Sequence, residues 1–189
     1  IAGGQESMTN APHAINIRGG QKLDETNLID TIIKDGLWDA FNGYHMGVTA
    51  ENVAHKWNIS RKEQDDFALL SQNKFEKAQK EGKFKNEIIP IILSKEKSNI
   101  KFENDEHPRL GMTIERLTKL KPSFKENGTV TPGNASGIND GAAAVVLMSE
   151  SEAKKRNLEP LAKIVSWATC GVDPSLMGSG PIPASKKAL

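Results

Sequence analysis

Thiols and long apolar runs are both scarce in this 189-residue chain. Cys170 is the only cysteine, which excludes an intrachain disulfide and any C-x-x-C metal site. That usage fits a reducing compartment, and a cytoplasmic location is expected. The longest strongly apolar stretches, residues 88–93 and 142–148, fall far short of the ~20 residues that a membrane helix needs. No membrane partner is expected. Charge of one sign is not in excess either: 25 Lys plus Arg stand against 24 Asp plus Glu, which excludes a global field that would recruit nucleic acid. His13, His45, His55 and His107 show no HExxH or other ligand spacing, so a structural metal has no support. Internal repeats and low-complexity segments are also missing.

The apolar fraction of 37% is enough to bury a core for one ordinary domain or two small ones. The chain opens on Ile1-Ala-Gly-Gly, which reads as the tail of a buried strand running into a turn. It closes on residues 183–189, which read as the first turns of an amphipathic helix with no capping glycine after it. Neither end looks like an expression tag, and an internal fragment of a longer protein is the expectation.

Along the chain, Ile15, Ile17 and Leu23 alternate with polar residues around Gly19-Gly20, the pattern of a projecting hairpin. Residues 27–41 carry a helical stripe of Leu28, Ile32 and Leu37 that should end or bend near Gly36. A second helix is expected to open at Thr49 and stop at Asn58. Ser60 followed by Glu63 forms a capping box for a long helix from Arg61 to about Lys80, buried through Phe67, Leu70, Phe75 and Ala78 and closed by Gly82. Residues 88–93 read as a strand interrupted by Pro90, an edge or a bulge. A polar stretch follows to Arg109, then a basic loop with a turn at Asn127-Gly128. Strands are expected at residues 144–148 and 161–168, with a short helix capped by Ser149 and Glu152 between them. Strand and helix alternate in this last third, an α/β habit.

Several local patterns carry two readings each. His45-Met46-Gly47 puts an imidazole, a thioether and a bare backbone at a helix start, which suits a thioester ligand with an anionic tail or, equally simply, a packed histidine and a turn glycine. The small-residue segment 131–144 permits close approach of a ligand or tight helix-to-strand packing. Arg109, Arg116, Lys119, Lys121 and Lys125, interleaved with Leu117, Leu120 and Phe124, suit a nucleotide with several phosphates or a solvated face. Gly178-Ser-Gly180 lacks the Lys-Ser/Thr pair of a phosphate loop. Cys170 follows an apolar run with no His or Lys near it in sequence, and reads as a buried bystander rather than a nucleophile.

Four segments, taken in order, resemble the thiolases: Ile1-Ala-Gly-Gly-Gln-Glu-Ser-Met8, His45-Met-Gly-Val-Thr-Ala-Glu-Asn52, Asn134-Ala-Ser-Gly-Ile-Asn-Asp-Gly-Ala-Ala-Ala144 and Met177-Gly-Ser-Gly-Pro-Ile-Pro-Ala184. They are most similar to the bacterial biosynthetic members that act on acetoacetyl-CoA. The resemblance implies an α/β thiolase-fold fragment: residues 1–8 as a strand of the first half, 9–138 as an inserted α+β loop domain covering coenzyme A, 139–158 as the end of the first half and 159–189 as the start of the second. It implies an acyltransferase that, when intact, condenses two acetyl-CoA into acetoacetyl-CoA and CoA through an acyl-cysteine, reversibly and with no cofactor. The alternatives are a degradative 3-ketoacyl-CoA thiolase and a non-catalytic thiolase-like protein that binds acyl-CoA or lipid.

No catalytic residue is expected within the chain. The resemblance puts the nucleophilic cysteine segment before Ile1, and the second cysteine, a histidine and an Asn-Glu-Ala-Phe asparagine after Leu189. The fragment alone should not turn over. What it implies here is the binding half of a site: Leu37, His45 and Met46 lining the pantetheine and acyl pocket, Arg109 and Phe124 at the nucleotide end, Ala135 and Ser136 bordering the pantetheine, and Met177 closing the acyl end. Two positions depart from the pattern, Arg116 where a small polar residue is usual and Pro132 where alanine is common. The hairpin at Gly19-Gly20 resembles a tetramerisation loop, so a homotetramer is expected, with Ile15, Ile17 and Leu23 as contacts.

Overall fold

The structure is a computed structural model and describes residues 1–20, 27–95 and 98–189. It divides into two compact units, residues 1–53 with 138–189, and residues 54–137.

In the first unit β1 (Ala2–Glu6) pairs antiparallel with β8 (Gly141–Val145), Ala2 opposite Val145 and Glu6 opposite Gly141. Small residues allow the close pairing: a Cβ on Gly3 would sit 2.3 Å from the Ala143 carbonyl oxygen. Beyond the ladder, the Thr9 N–H donates to Asp140 Oδ1 at 2.8 Å and ties the two strand ends together. β1 was expected to be buried, yet every residue of both strands is exposed, because a two-stranded ribbon covers neither of its own faces. The strand expected at residues 144–148 is shifted: β1 reaches only as far as Val145, and Val146, Leu147 and Met148 are exposed with no ladder partner among the described residues.

β2 (His13–Ala14) pairs antiparallel with β3 (Ile29–Asp30), and the loop between them carries the Gly19-Gly20 turn, with Gly20 at φ +79°. Ile15 is half-buried and Ile17 exposed, while Leu23 lies outside the described residues. The helix expected over 27–41 does not form. Instead β3 is followed by a single π-helical turn, Ile32–Gly36. Local side chains compete with helical bonding there: Asp30 accepts the Ile32 N–H at 2.9 Å, and the Thr31 hydroxyl donates to the Pro12 carbonyl at 2.6 Å.

β4 (Trp38–Asp39) and β5 (Tyr44–His45) then form a short hairpin, and β5 runs straight into α1 (Met46–Lys56). α1 therefore begins three residues before the expected Thr49, whose hydroxyl instead donates back to the Met46 carbonyl at 2.6 Å. Asn58 does end this helical region, in the left-handed region at φ 52°.

α2 (Arg61–Lys80) starts on the expected capping box, with Ser60 Oγ accepting the Glu63 N–H and Glu63 Oε2 accepting the Ser60 N–H at 2.7 Å. Gly82 follows its end at φ +68°. Its buried face differs from expectation. Phe75 and Ala78 are half-buried, but Phe67 is 76% exposed and Leu70 is exposed, while Asp65 is completely buried. A polar network, described below, turns that side of the helix inward.

β6 (Ile91–Lys95), which overlaps the strand expected at residues 88–93, pairs antiparallel with β7 (Ser98–Phe102), a strand within the stretch read as polar. The ladder begins after Pro90 rather than running through it, since proline has no N–H to contribute. α3 (Ile114–Thr118) buries Leu117, which is 1% exposed.

In the first unit again, α4 (Glu150–Lys155) is capped by Ser149 as expected, and Asn157 follows it at φ 52°. The strand expected at 161–168 makes no ladder among the described residues. Its side chains Leu161, Ile164, Val165 and Trp167 are exposed, because apolar sequence becomes a strand only against a partner edge. Cys170 at its end is exposed rather than buried, for the same reason. A 3₁₀ segment (Pro174–Ser179) and α5 (Pro181–Ala188) complete the chain.

Candidate functional site

The first unit presents Leu37, His45 and Met46 together. Asp39 builds the loop that makes this possible: its carboxylate accepts the Phe41 N–H at 2.9 Å, the Asn42 N–H at 3.2 Å and the Asn42 side-chain amide at 2.7 Å. Gly43, at φ +73°, completes the reversal. Asp39 is 5% exposed. The Asn42 side-chain amide, more than any other group, holds its carboxyl below the usual range, joined by the backbone N–H groups of Asn42 and Phe41; burial and the charge of Asp173 push the other way.

The hairpin sets Trp38 opposite His45, and the Met46 N–H donates to the Leu37 carbonyl at 2.7 Å. His45 then takes over as an improvised helix cap. Its Nδ1 accepts the Gly47 N–H at 2.9 Å, satisfying one of the unpaired donors at the start of α1. A neutral imidazole with Nδ1 as acceptor carries its proton on Nε2. Leu37, His45 and Met46 are all half-buried, neither sealed in a core nor fully solvated.

Met177 belongs to the same unit. The Asn52 side-chain amide bridges the hydroxyl of Tyr44 at 3.2 Å and the carbonyl of Ser175 at 3.1 Å, so one side chain links β5, α1 and the 3₁₀ segment. A Cβ on Gly178 would lie 3.8 Å from Val53, in ordinary contact. Met177 itself is exposed.

Arg109, Phe124, Ala135 and Ser136 lie in the second unit. The Arg109 N–H donates to Gln72 Oε1 at 3.0 Å, and its side chain is exposed. Phe124 is half-buried in a loop closed by the Ser123 N–H on the Val130 carbonyl at 2.9 Å. The basic run resolves residue by residue: Arg116, Lys119, Lys121 and Lys125 are exposed, and Leu117 is core. Ala135 and Ser136 are exposed at the end of a tightly bonded turn in which the Asn134 and Ala135 N–H groups both donate to the Thr131 carbonyl, at 3.2 and 3.1 Å.

Sequence reasoning passed over three residues that shape these surfaces: Asp39, Asn52 and Asp65. The Asp-x-x-Asn-Gly pattern at residues 39–43 was the available signal for the first. Asn52 lay within a quoted motif, but its partners, Tyr44 and Ser175, are set by the fold. The clearest cavity of the second unit, about 300 Å³, is lined by Phe75, Phe84, Glu87, Ile88, Glu103 and Asp105, and by none of the expected binding residues. Its carboxylates suit no phosphate. Among the described residues no cluster of three or more His, Cys, Asp or Glu could hold a metal ion, and no helix is long and apolar enough to cross a membrane.

Comparison with known proteins bears on this arrangement. The family described as Thiolase, N-terminal domain matches residues 1–151. The chain belongs to the thiolase family. An acetyl-CoA acetyltransferase of Shinella zoogloeoides is 60% identical to this thiolase chain over all 189 residues, which make up 48% of that protein. The fold is shared as well. The solved acetyl-CoA acetyltransferase from Syntrophomonas wolfei superposes with a TM-score of 0.90 at 41% identity, over 99% of this chain and 47% of that one. The human mitochondrial 3-ketoacyl-CoA thiolase in complex with CoA gives 0.88 at 46% identity, over 99% and 47% of the two chains. The chain thus spans about half the length of the curated relatives it matches.

Proposed function

We propose that this chain is the coenzyme A binding portion of an acetyl-CoA acetyltransferase, which joins two acetyl-CoA molecules into acetoacetyl-CoA and CoA and runs in reverse as a thiolysis. The observation that carries the reading is the match along the whole chain to relatives of that name. In this reading a cysteine thiolate of the full-length protein takes the acetyl group of one acetyl-CoA and releases CoA. A second cysteine takes a proton from the methyl of another acetyl-CoA, and the resulting carbanion attacks the acyl-enzyme carbonyl carbon. The new C–C bond forms as the first cysteine thiolate leaves.

This chain's residues would bind and orient the thioester. Leu37, His45, Met46 and Met177 serve the acyl and pantetheine region, Ala135 and Ser136 border the pantetheine, and Arg109 and Phe124 meet the nucleotide. Two features support that assignment: the Nε2–H tautomer that the Gly47 bond selects in His45, a donor suited to a thioester oxygen, and the exposure of Ala135 and Ser136. No cofactor is called for, since a thiolate and a carbanion suffice. The proposal extends to the division of the chain at residues 8/9, 138/139 and 158/159 into parts of two halves and an inserted domain, to a cytoplasmic location, and to a homotetramer that uses the loop following β2.

Thiolysis by the full-length protein is the test. Acetoacetyl-CoA plus CoA should be converted to acetyl-CoA, faster than longer 3-ketoacyl-CoA substrates, and the isolated 189-residue chain should give no turnover. A full-length protein that binds acyl-CoA without cleaving it would sink the catalytic reading, and preference for long chains would replace acetyl specificity with degradative specificity.

A further inference from the structure

We propose that Asp65 is a positioning residue for the coenzyme A site: its buried carboxylate, clamped by Arg61, holds Asn134 and through it fixes how Ala135 and Ser136 meet the pantetheine arm. The inference rests on the acyl-transfer reading above and adds a residue that touches no substrate.

Asp65 is 0% exposed, and a carboxylate removed from water persists only with full compensation. Each of its oxygens has a partner. Arg61 Nε donates to Oδ2 at 2.7 Å, and Asn134 Nδ2 donates to Oδ1 at 3.0 Å. Arg61 is itself held, its Nη2 donating to the carbonyls of Leu117 at 2.7 Å and Leu120 at 3.1 Å. The carboxylate therefore cannot swing.

Asn134 is equally committed. Its second amide hydrogen goes to the Thr129 carbonyl at 3.0 Å, and its Oδ1 accepts the Thr131 N–H at 2.8 Å. Only one orientation of the amide satisfies all three partners. Around it the turn is closed, with the Thr131 hydroxyl accepting the Gly133 N–H at 3.2 Å and Gly133 pressed so near Leu117 and Leu120 that a Cβ would come within 2.6 Å of each. Ala135 and Ser136 leave this turn in a fixed direction and are exposed. A buried Asp at this place orients an amide, which an apolar side chain of similar size cannot do.

The test uses the full-length protein and acetoacetyl-CoA thiolysis with CoA varied, alongside thermal melting. Asp65→Asn keeps the side chain's shape, but its one oxygen can serve Arg61 or Asn134 and not both. KM for CoA should rise about ten-fold in Asp65→Asn and in Asn134→Ala, with kcat within about two-fold, since ground-state positioning is lost and the chemistry is not. The double variant should be no worse than either single, because both act through one contact. Arg61→Gln, which leaves the carboxylate in place but unclamped, should raise KM by about three-fold and gives a second route if Asp65→Asn does not accumulate. Melting temperatures that fall while KM stays at its wild-type value overturn the proposal, and so do multiplying effects in the double variant. A wild-type protein without thiolysis would instead remove the functional reading beneath it.

Discussion

The turn at residues 131–136 and the ribbon of β1 with β8 are built from similar amino acids, yet they differ in how firmly they are held. Both are runs of small residues. In the turn, Thr131 is fully buried and the Asn134 side-chain amide alone makes three hydrogen bonds, with the Thr131 N–H, the Thr129 carbonyl and the Asp65 carboxylate. In the ribbon every residue is exposed, and the apolar residues 146–148 that follow it have no cover. Small residues permit close approach, but elements that converge from elsewhere in the chain decide whether the approach produces a rigid site.

That contrast can be broken from either side. The largest effect is expected from Asp65→Ala, which strips Arg61 and Asn134 of their shared partner; breaking a buried pair this way costs about 3 kcal/mol, measurable by urea unfolding. Gly133→Ala should cost about 2 kcal/mol by forcing Leu117 and Leu120 aside, and a neutral result would show the turn to be less tightly packed than its distances imply. Ser60→Ala removes the capping box of α2 and should lose about 1 kcal/mol in the same assay.

Acid should act next. The backbone N–H of Thr9 is the chief cause of the lowered carboxyl of Asp140, and that of Ser60 plays the same part for Glu63; with Asp39, these groups are lowered on folding. A lowered folded-state pKa means the unfolded chain binds protons first. Stability from these groups is thus complete above the unfolded carboxylate range, about pH 4 to 4.5, and is lost as pH falls through the folded values. A pH series of thermal melts should be flat between about pH 6 and 5 and decline below about pH 4, and Asp140→Asn should shallow the decline. The smallest effect belongs to the uncovered side: Val165→Thr in the 189-residue chain should change stability by no more than about 0.5 kcal/mol. A larger loss there would mean that residues 161–168 are covered after all.

Elements specified by neighbours in sequence were legible beforehand. The capping box at Ser60 and the Ser149 hydroxyl that accepts the Glu152 N–H start α2 and α4, and Asn58, Gly82 and Asn157 follow α1, α2 and α4 with positive φ, all through bonds and torsions within a few residues. Features that need a distant partner were not. The helical stripe at 27–41 lost to side-chain bonds from Asp30 and Thr31, and the apolar run at 161–168 has no ladder partner among the described residues. For the candidate site, the motif around His45 and the segment from Asn134 were both visible. How His45 caps α1 and what holds Asn134 were not, because their geometry depends on backbone angles and on α2.

Two ion pairs in α2 mark the division. Arg61 with Asp65 and Lys62 with Asp66 are adjacent, chemically alike and separated by the same four positions, so the sequence by itself determines that both can form. It also determines where α2 begins, and it carries the four segments by which the thiolase family is identified. Tertiary structure alone decides that Asp65 is fully buried while the Asp66 side chain remains 46% exposed. Leu117, Leu120 and Asn134 come from more than 50 positions away to meet Arg61 and Asp65. The physical reason is compensation: only where those carbonyls and that amide converge can a carboxylate leave water.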